Sequence, residues 1–349
     1  MEYNIDILVA GCNTTCIHCY VNGGKTPIMD VNDFELCINK LMPVFDKLKD
    51  KVGFTLDNEI FNHPDAVEIL EYVENNCKDN YFHHGSTTGI AFLNHPKQAE
   101  LLAILKRNDW NYVSFAIHGN NETHNQIVKN DEGLESIIKA CEIFKKNDFE
   151  IWISLMINKK LIEELSDISI ILNQTKYDHI LPVIPDYFPT TRLNKYQELR
   201  CNTNDYKSLI NFLEERNVDV TDVKNAIDSF NEQEIINNLN VESVKEKLLS
   251  KNMAFFHVDH NLNFYYGNTG SKLKSLGNIK ELSSDDIFKA IIDSDDNYFE
   301  TSTIHYDDII KAINHNELNS SKENYVYPSE ITGLIAMINN QSNNKQGDK

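Results

Sequence analysis

The chain has few basic residues for its length. Its 349 residues include 33 Lys and Arg against 53 Asp and Glu, which gives a formal net charge of −20. Nucleic-acid binding draws much of its affinity from cations on phosphates, so this balance disfavours a nucleic-acid partner. Hydrophobic residues make up 41% of the chain and aromatic residues 10%, which is enough for an ordinary core and excludes wholesale disorder.

Long apolar runs are also missing. No stretch approaches the ~20 consecutive apolar residues that a membrane-spanning helix needs, so we expect no membrane partner. Residues 1–6 (MEYNID) lack the basic start and the apolar core of a signal peptide. The sequence therefore predicts a cytoplasmic protein.

Cysteine is sparse and unevenly placed. There are seven cysteines, an odd number, and no cysteine follows Cys201. Three of them, Cys12, Cys16 and Cys19, fall within eight residues (CNTTCIHC). In a reducing compartment such a cluster indicates metal binding rather than a disulfide framework.

Short apolar runs alternate with helical patterns through the first two hundred residues. The predicted strands are 5–10, 52–56, 80–83, 112–117, 150–157 and 179–184. Strands that alternate with helices at this period favour parallel βαβ units. Six units are too few for a closed eight-stranded barrel, so the sequence predicts an α/β fold built on a partial (β/α)6 TIM-like barrel.

The alternation of strands and helices ends after the predicted barrel. The segment 254–266 (AFFHVDHNLNFYY) predicts a hairpin that turns at 259–263, next to helical stretches. We therefore expect residues 1–200 to form the barrel and 201–335 a smaller α+β C-terminal domain. The polar residues 336–349 are expected to be a disordered tail.

The three clustered cysteines follow the first predicted strand. At positions i, i+4 and i+7 of one short loop, their sulfurs can point to a common centre, and thiolates are the ligands of iron–sulfur clusters. A four-iron cluster with three protein ligands keeps one iron open for chemistry. A zinc knuckle that uses the same cysteines with His18 is the alternative, although paired Cys-x2-Cys knuckles are absent.

The loop resembles the C-x3-C-x2-C signature of the radical S-adenosylmethionine (radical SAM) superfamily, including its His-Cys-Tyr ending. That resemblance implies a six-unit partial barrel with the loop after strand one and a [4Fe–4S] cluster on Cys12, Cys16 and Cys19. It further implies that the open iron binds the amino and carboxylate groups of SAM. Reductive cleavage then yields a 5′-deoxyadenosyl radical that abstracts hydrogen from the substrate.

Further segments resemble the SAM-binding parts of the same superfamily. The segment 56–64 (LDNEIFNHP) is similar to a Gly-Gly-Glu-Pro motif, with Asp57 and Asn58 in place of the glycines and Glu59 as the acceptor for the SAM ammonium. The segment 114–119 (SFAIHG) is similar to Ser-Leu-His-Gly, with Ala116 in place of the serine. The resemblance implies cofactor contacts by the following residues: His18, Asp57, Asn58, Glu59, Ser114, His118 and Ser154.

The C-terminal segments 257–266 and 276–279 resemble the tails of peptide- and small-molecule-modifying radical SAM enzymes. Those tails hold auxiliary clusters on cysteines, which this chain lacks after Cys201, so we expect one cluster. Cys201 itself is a candidate hydrogen donor to a substrate radical, with a structural thiol as the alternative.

The function predicted from these features is that of a radical SAM oxidoreductase or maturase acting on a ribosomally made peptide. An electron donor such as flavodoxin or ferredoxin is the expected partner. A small-molecule substrate is the first alternative. The second is a non-catalytic iron–sulfur sensor or scaffold of the same fold, and the third is a zinc-stabilised interaction protein.

Overall fold

The computed structural model describes residues 2–19, 23–185, 197–249, 253–267, 273–293, 306–314, 318 and 320–347. Its strands are β1 Glu2–Ala10, β2 Val52–Asn58, β3 Tyr112–Ile117, β4 Glu150–Met156, β5 His179–Val183, β6 Met253–Val258, β7 Asn263–Tyr266 and β8 Lys274–Asn278. Its α-helices are α1 Val31–Leu48, α2 Ala66–Asn76, α3 Ile90–Asn94, α4 Gln98–Arg107, α5 Asn121–Val128, α6 Gly133–Lys146, α7 Lys159–Glu163, α8 Leu165–Thr175, α9 Tyr206–Glu214, α10 Thr221–Ser229, α11 Glu232–Asn237, α12 Val241–Leu249, α13 Ser284–Ile292, α14 Tyr306–Asn314 and α15 Glu330–Gly347.

The strands form two sheets. One has the order β2-β1-β6-β7-β8, in which β1 runs parallel to both β2 and β6, and β7 and β8 continue as antiparallel strands. The other is the parallel sheet β3-β4-β5. The α/β class with parallel strands predicted from the sequence is confirmed, and so is the hairpin of β6 and β7.

The strand predicted at 80–83 does not form, so that prediction was wrong. Lys78–Asn80 is a 3-10 turn, and only single bridges follow, from Tyr81 to Phe54 of β2 and from Ser86 to Ser114 of β3. Gly85 lies between the bridges with φ +65°, which turns the chain from one sheet to the next before either pairing can extend. This bridging segment joins the two sheets.

The two faces of strand β1 differ in polarity. In β1, Ile5, Ile7 and Val9 are fully buried in the main core, whereas Asp6 accepts a 2.6 Å hydrogen bond from Thr55 of β2. Successive side chains of a strand point to opposite faces, so Asp6 lies on the opposite face from this core. We call this second face, away from helices such as α1 and α6, the inner face of the barrel.

The C-terminal half is attached to the barrel in two ways. Strands β6–β8 extend the sheet of β1 and β2, and a second core of α11, α12, α14 and α15 side chains includes Ile127 of α5. The domain division at residue 200 stays a prediction. Residues 336–349 were expected to form a disordered tail, but the backbone is helical as far as Gly347.

Membrane insertion has no support in the helices. Within the described ranges, none combines the length and the apolar character that a membrane span requires.

The aromatic core under β3 and β4 offers a test of the packing. The Phe144 ring of α6 stacks on Phe92 at 4.3 Å between ring centroids and is fully buried beside Phe115 and Phe149. Phe144→Ala should lower the free energy of unfolding by about 3–5 kcal/mol, because truncation leaves a cavity. Chemical denaturation measures the loss. Phe82→Ala is the control, since Phe82 is 56% exposed, and an equal loss there would contradict the packing.

Candidate active site

The cysteine loop begins at the carboxyl end of β1 and folds back, so that the backbone at Gly11 lies against the backbone at Gly24 and Thr26. A Cβ on Gly11 would lie 2.1 Å from the Gly24 carbonyl oxygen and 2.8 Å from the Thr26 nitrogen, so only glycine allows this approach. The Gly11 carbonyl accepts a hydrogen bond from the Asn62 side-chain amide at 2.7 Å. These contacts hold the loop closed between β1 and the turn that follows β2.

The sulfur atoms of Cys12 and Cys19 both lie close to Gly23. A Cβ added at Gly23 would be 3.3 Å from each of them, and the Gly23 N–H donates a 3.0 Å hydrogen bond to Cys19 Sγ. Cys16 Sγ lies 3.4 Å from Thr14 Oγ1. Burial raises the pKa of the Cys12 thiol, and the nearby Glu59 and the two other cysteines add to the rise.

The sulfur arrangement fits a cluster better than a single ion. Within the described ranges, no three His, Cys, Asp or Glu side chains converge closely enough to chelate one metal ion. A structural zinc needs its ligands in one tetrahedron, whereas each thiolate of a four-iron cluster binds a different iron. Because the three described thiols do not converge on one point, the loop suits an iron–sulfur cluster and disfavours the zinc knuckle.

The remaining four cysteines are separate from the loop. Cys37, Cys77, Cys141 and Cys201 are buried members of the main hydrophobic core. Cys201 is 1% exposed, and burial raises the pKa of its thiol. Its proposed role as a hydrogen donor stays a prediction.

Glu59 follows β2, and hydrogen bonds from Thr87 and Thr88 hold its side chain in place. Its Oε1 accepts a hydrogen bond from Thr87 Oγ1 at 2.9 Å, and its Oε2 accepts from the Thr88 N–H at 2.8 Å and Thr88 Oγ1 at 3.1 Å. A carboxylate has about four lone-pair sites, so one remains for a further donor. Glu59 is 2% exposed, and burial raises its pKa to about 7.

Asp57 and Asn58 stand where the resembled motif has glycines. Asn58 has φ +63°, a left-handed conformation that asparagine tolerates better than most residues. Asp57 Oδ2 is buried and has no hydrogen-bond partner among the described residues. Burial, followed by the charge of Asp6, raises the pKa of Asp57 to about 7.

Three histidines lie beside the cysteine loop. The rings of His18 and His118 are 4.1 Å apart, and His124 lies 5.5 Å from His118. His118 is fully buried, and within the described part of the chain neither ring nitrogen has a hydrogen-bond partner. Buried polar atoms are nearly always satisfied, so the His118 ring and Asp57 Oδ2 are each candidates for contact with a polar ligand.

Ser114 and Ser154 meet on the inner face, with their hydroxyl oxygens 3.2 Å apart. The structure thus groups the predicted residues into a cysteine loop, a carboxylate turn and a serine pair. Sequence reasoning missed Thr87 and Thr88 as the partners of Glu59. It also missed His124, for which a single sequence offers no distinct signal.

The parallel strands, with a cysteine loop at the carboxyl end of β1, define an α/β domain. Residues 7–168 match the Radical SAM superfamily. This part of the chain is a radical SAM domain, which confirms the resemblance; the cofactors of that superfamily are a [4Fe–4S] cluster and SAM. No curated protein sequence matches the chain.

Two solved structures with the same fold cover nearly the whole chain, and a third is similar over a smaller part. Native anSMEcpe with bound AdoMet and Cp18Cys peptide is 15% identical, with 99% of each chain covered and a TM-score of 0.54. Native anSMEcpe with AdoMet and Kp18Cys peptide is also 15% identical, with 99% of this chain and 100% of that chain covered and a TM-score of 0.54. Streptococcus suis SuiB bound to precursor peptide SuiA is 12% identical over 83% of this chain and 64% of that chain, with a TM-score of 0.47. At 15% identity the likeness to the two anSMEcpe structures shows the fold alone.

Loss of one loop cysteine should abolish cluster binding. Cys16→Ala removes one of the three thiolates, so the reconstituted variant should lack the brown chromophore and carry little iron and sulfide. Cys141→Ala, in the core, should bind as much iron as the natural chain. Iron and sulfide analysis under anaerobic conditions checks this, and a full cluster in Cys16→Ala would contradict the ligand assignment.

Glu59→Gln should weaken SAM binding by about 10- to 100-fold, because a hydrogen bond to a charged group contributes about 1.5–3 kcal/mol. The natural chain should also bind SAM more weakly as the pH falls below about 7, where Glu59 gains a proton and no longer attracts the ammonium. Calorimetric titration of the cluster-loaded protein across pH measures both effects.

The control for this variant is Glu135→Gln, a solvent-exposed carboxylate paired with Lys139 on α6. Its SAM affinity should equal that of the natural chain. An unchanged affinity in Glu59→Gln would show that the ammonium binds elsewhere.

Proposed function

We propose that this chain holds one [4Fe–4S] cluster on Cys12, Cys16 and Cys19, binds SAM beside Glu59, and modifies a peptide. The observation that carries the proposal is the position of the cysteine loop against the carboxylate turn. The loop follows β1, Glu59 follows the adjacent parallel strand β2, and Cys12 Sγ lies 3.6 Å from Asn58 Oδ1. Carboxyl ends of parallel strands are where such barrels place their chemistry.

The residues of the chain at this site would bind and orient the cluster and SAM. The three thiolates would hold the cluster, and the free lone pair of Glu59 would accept the SAM ammonium, whose positive charge favours the ionised carboxylate. Asp57 Oδ2 and the His118 ring would offer further polar contacts to SAM. When bound, these cofactors supply one-electron chemistry that removes a hydrogen atom from a substrate.

The polar side chains on the inner face of the barrel favour a polar substrate. Asp6, Thr55, Ser114 and Ser154 lie on this face, and so does His257, because β6 pairs in parallel register with β1 and aligns His257 with Asp6. Hydroxyl, carboxylate and imidazole groups suit hydrogen bonds to backbone amides and polar side chains. The peptide class is proposed from the anSMEcpe structures, which share the fold and contain bound peptides.

The enzymatic proposal is tested by SAM cleavage. The purified chain is reconstituted anaerobically with iron and sulfide, reduced with dithionite and given SAM, and 5′-deoxyadenosine is measured by chromatography. We expect its release, and expect Glu59→Gln to release it at least tenfold more slowly at limiting SAM. A chain with a loaded cluster that releases none would contradict an enzymatic role.

The substrate class is tested with the same assay. Short peptides encoded beside this gene are added, and mass spectrometry follows their modification. A peptide that accelerates 5′-deoxyadenosine release and changes mass supports the proposal. Acceleration by small metabolites, with every neighbouring peptide inert, would instead identify a small-molecule enzyme.

A further inference from the structure

Asn58 places a side-chain amide against a predicted cluster ligand. Its Oδ1 lies 3.6 Å from Cys12 Sγ and 3.2 Å from the position that a Cβ of Gly23 would take. The resembled motif has glycine here, so this amide is an addition to it. We propose that the Asn58 amide donates a hydrogen bond to the Cys12 thiolate and raises the reduction potential of the cluster. This inference rests on the proposed function, because it takes Cys12 as a ligand.

The donor and acceptor of this contact reverse when Cys12 binds iron. As a thiol, Cys12 donates its proton to Asn58 Oδ1. As an iron ligand it is a thiolate, which only accepts hydrogen bonds. The two ends of an asparagine amide have nearly the same shape, so a half-turn of the amide presents the N–H₂ group to the same sulfur.

The backbone keeps the Asn58 side chain at this place. Asn58 ends β2 opposite Ala10 of β1, and its main-chain N–H donates a 2.8 Å hydrogen bond to Asp57 Oδ1. Its φ of +63° is the conformation that a glycine would adopt readily. Asparagine therefore preserves the turn and adds a donor, so substitution by glycine separates the two roles.

Hydrogen bonds to the sulfurs are one of the properties that set the potential of an iron–sulfur cluster. Reduction adds negative charge to the cluster, and a donor on a ligand sulfur stabilises that charge. Cys19 already receives such a bond from the backbone N–H of Gly23 at 3.0 Å. Asn58 would supply the corresponding donor to Cys12 from a side chain.

The test is the midpoint potential of the cluster, measured by a redox titration that is followed by electron paramagnetic resonance. Asn58→Gly should shift the potential to a more negative value while iron and sulfide contents stay at the level of the natural chain. Asn58→Asp keeps the shape but replaces the donor with a negative charge, so its shift should be larger. The matched control is Asn217→Gly, an exposed asparagine with φ +57°, which should leave the potential unchanged.

A spectroscopic signal separates the hydrogen bond from a structural role. Electron–nuclear double resonance of the reduced natural chain should show exchangeable protons coupled to the cluster from both the Gly23 N–H and the Asn58 amide, and Asn58→Gly should lose the second signal and keep the first. An unchanged potential together with an unchanged set of proton signals in that variant would overturn the inference. If Asn58→Gly fails to load, an unchanged potential in Asn58→Asp would overturn it equally. Failure of the natural chain to load any cluster would instead count against the proposed function.

Discussion

The close approach of the backbone around the cysteine loop is the constraint on which the site depends. Three sulfurs can surround a cluster only if the chain after β1 folds back within a few residues, and Gly11 and Gly23 allow this because neither carries a Cβ. At Gly11 the approach is to backbone atoms, which have little room to move. At Gly23 a Cβ would press against both Cys12 Sγ and Cys19 Sγ, at 3.3 Å from each. The loop therefore depends on the absence of two side chains as much as on the presence of three thiols.

Electrostatics give the site a preference for a cationic ligand. The chain is acidic overall, and three acidic side chains lie on or just beyond the adjacent strands β1 and β2, namely Asp6, Asp57 and Glu59. Burial raises the pKa of Asp57 and of Glu59 to about 7, so both groups lack a compensating charge in the protein itself. SAM carries an ammonium and a sulfonium, and such charges would favour ionised carboxylates. The unsatisfied Asp57 Oδ2 agrees with a site that is completed by its ligand.

Local patterns in the sequence predicted the parts of the fold that depend on local forces. Apolar periodicity located five of the barrel strands, and cysteine spacing located the loop, because both reflect side chains close in sequence. The strand at 80–83 failed because Gly85 turns the chain, and a single glycine does not reveal its φ. The left-handed Asn58 and the hydrogen bonds from Thr87 and Thr88 to Glu59 arise where distant segments meet. The periodicity of apolar residues along the chain carries no information about such contacts.

The central claim is that three sulfurs hold a four-iron cluster with one iron open to SAM. Mössbauer spectroscopy of ⁵⁷Fe-reconstituted protein, recorded with and without SAM, tests it most directly. The account predicts one [4Fe–4S] cluster per chain in which a single iron site changes its isomer shift when SAM is added. Iron sites that all stay unchanged with saturating SAM, or a chain that binds zinc and no iron, would contradict it.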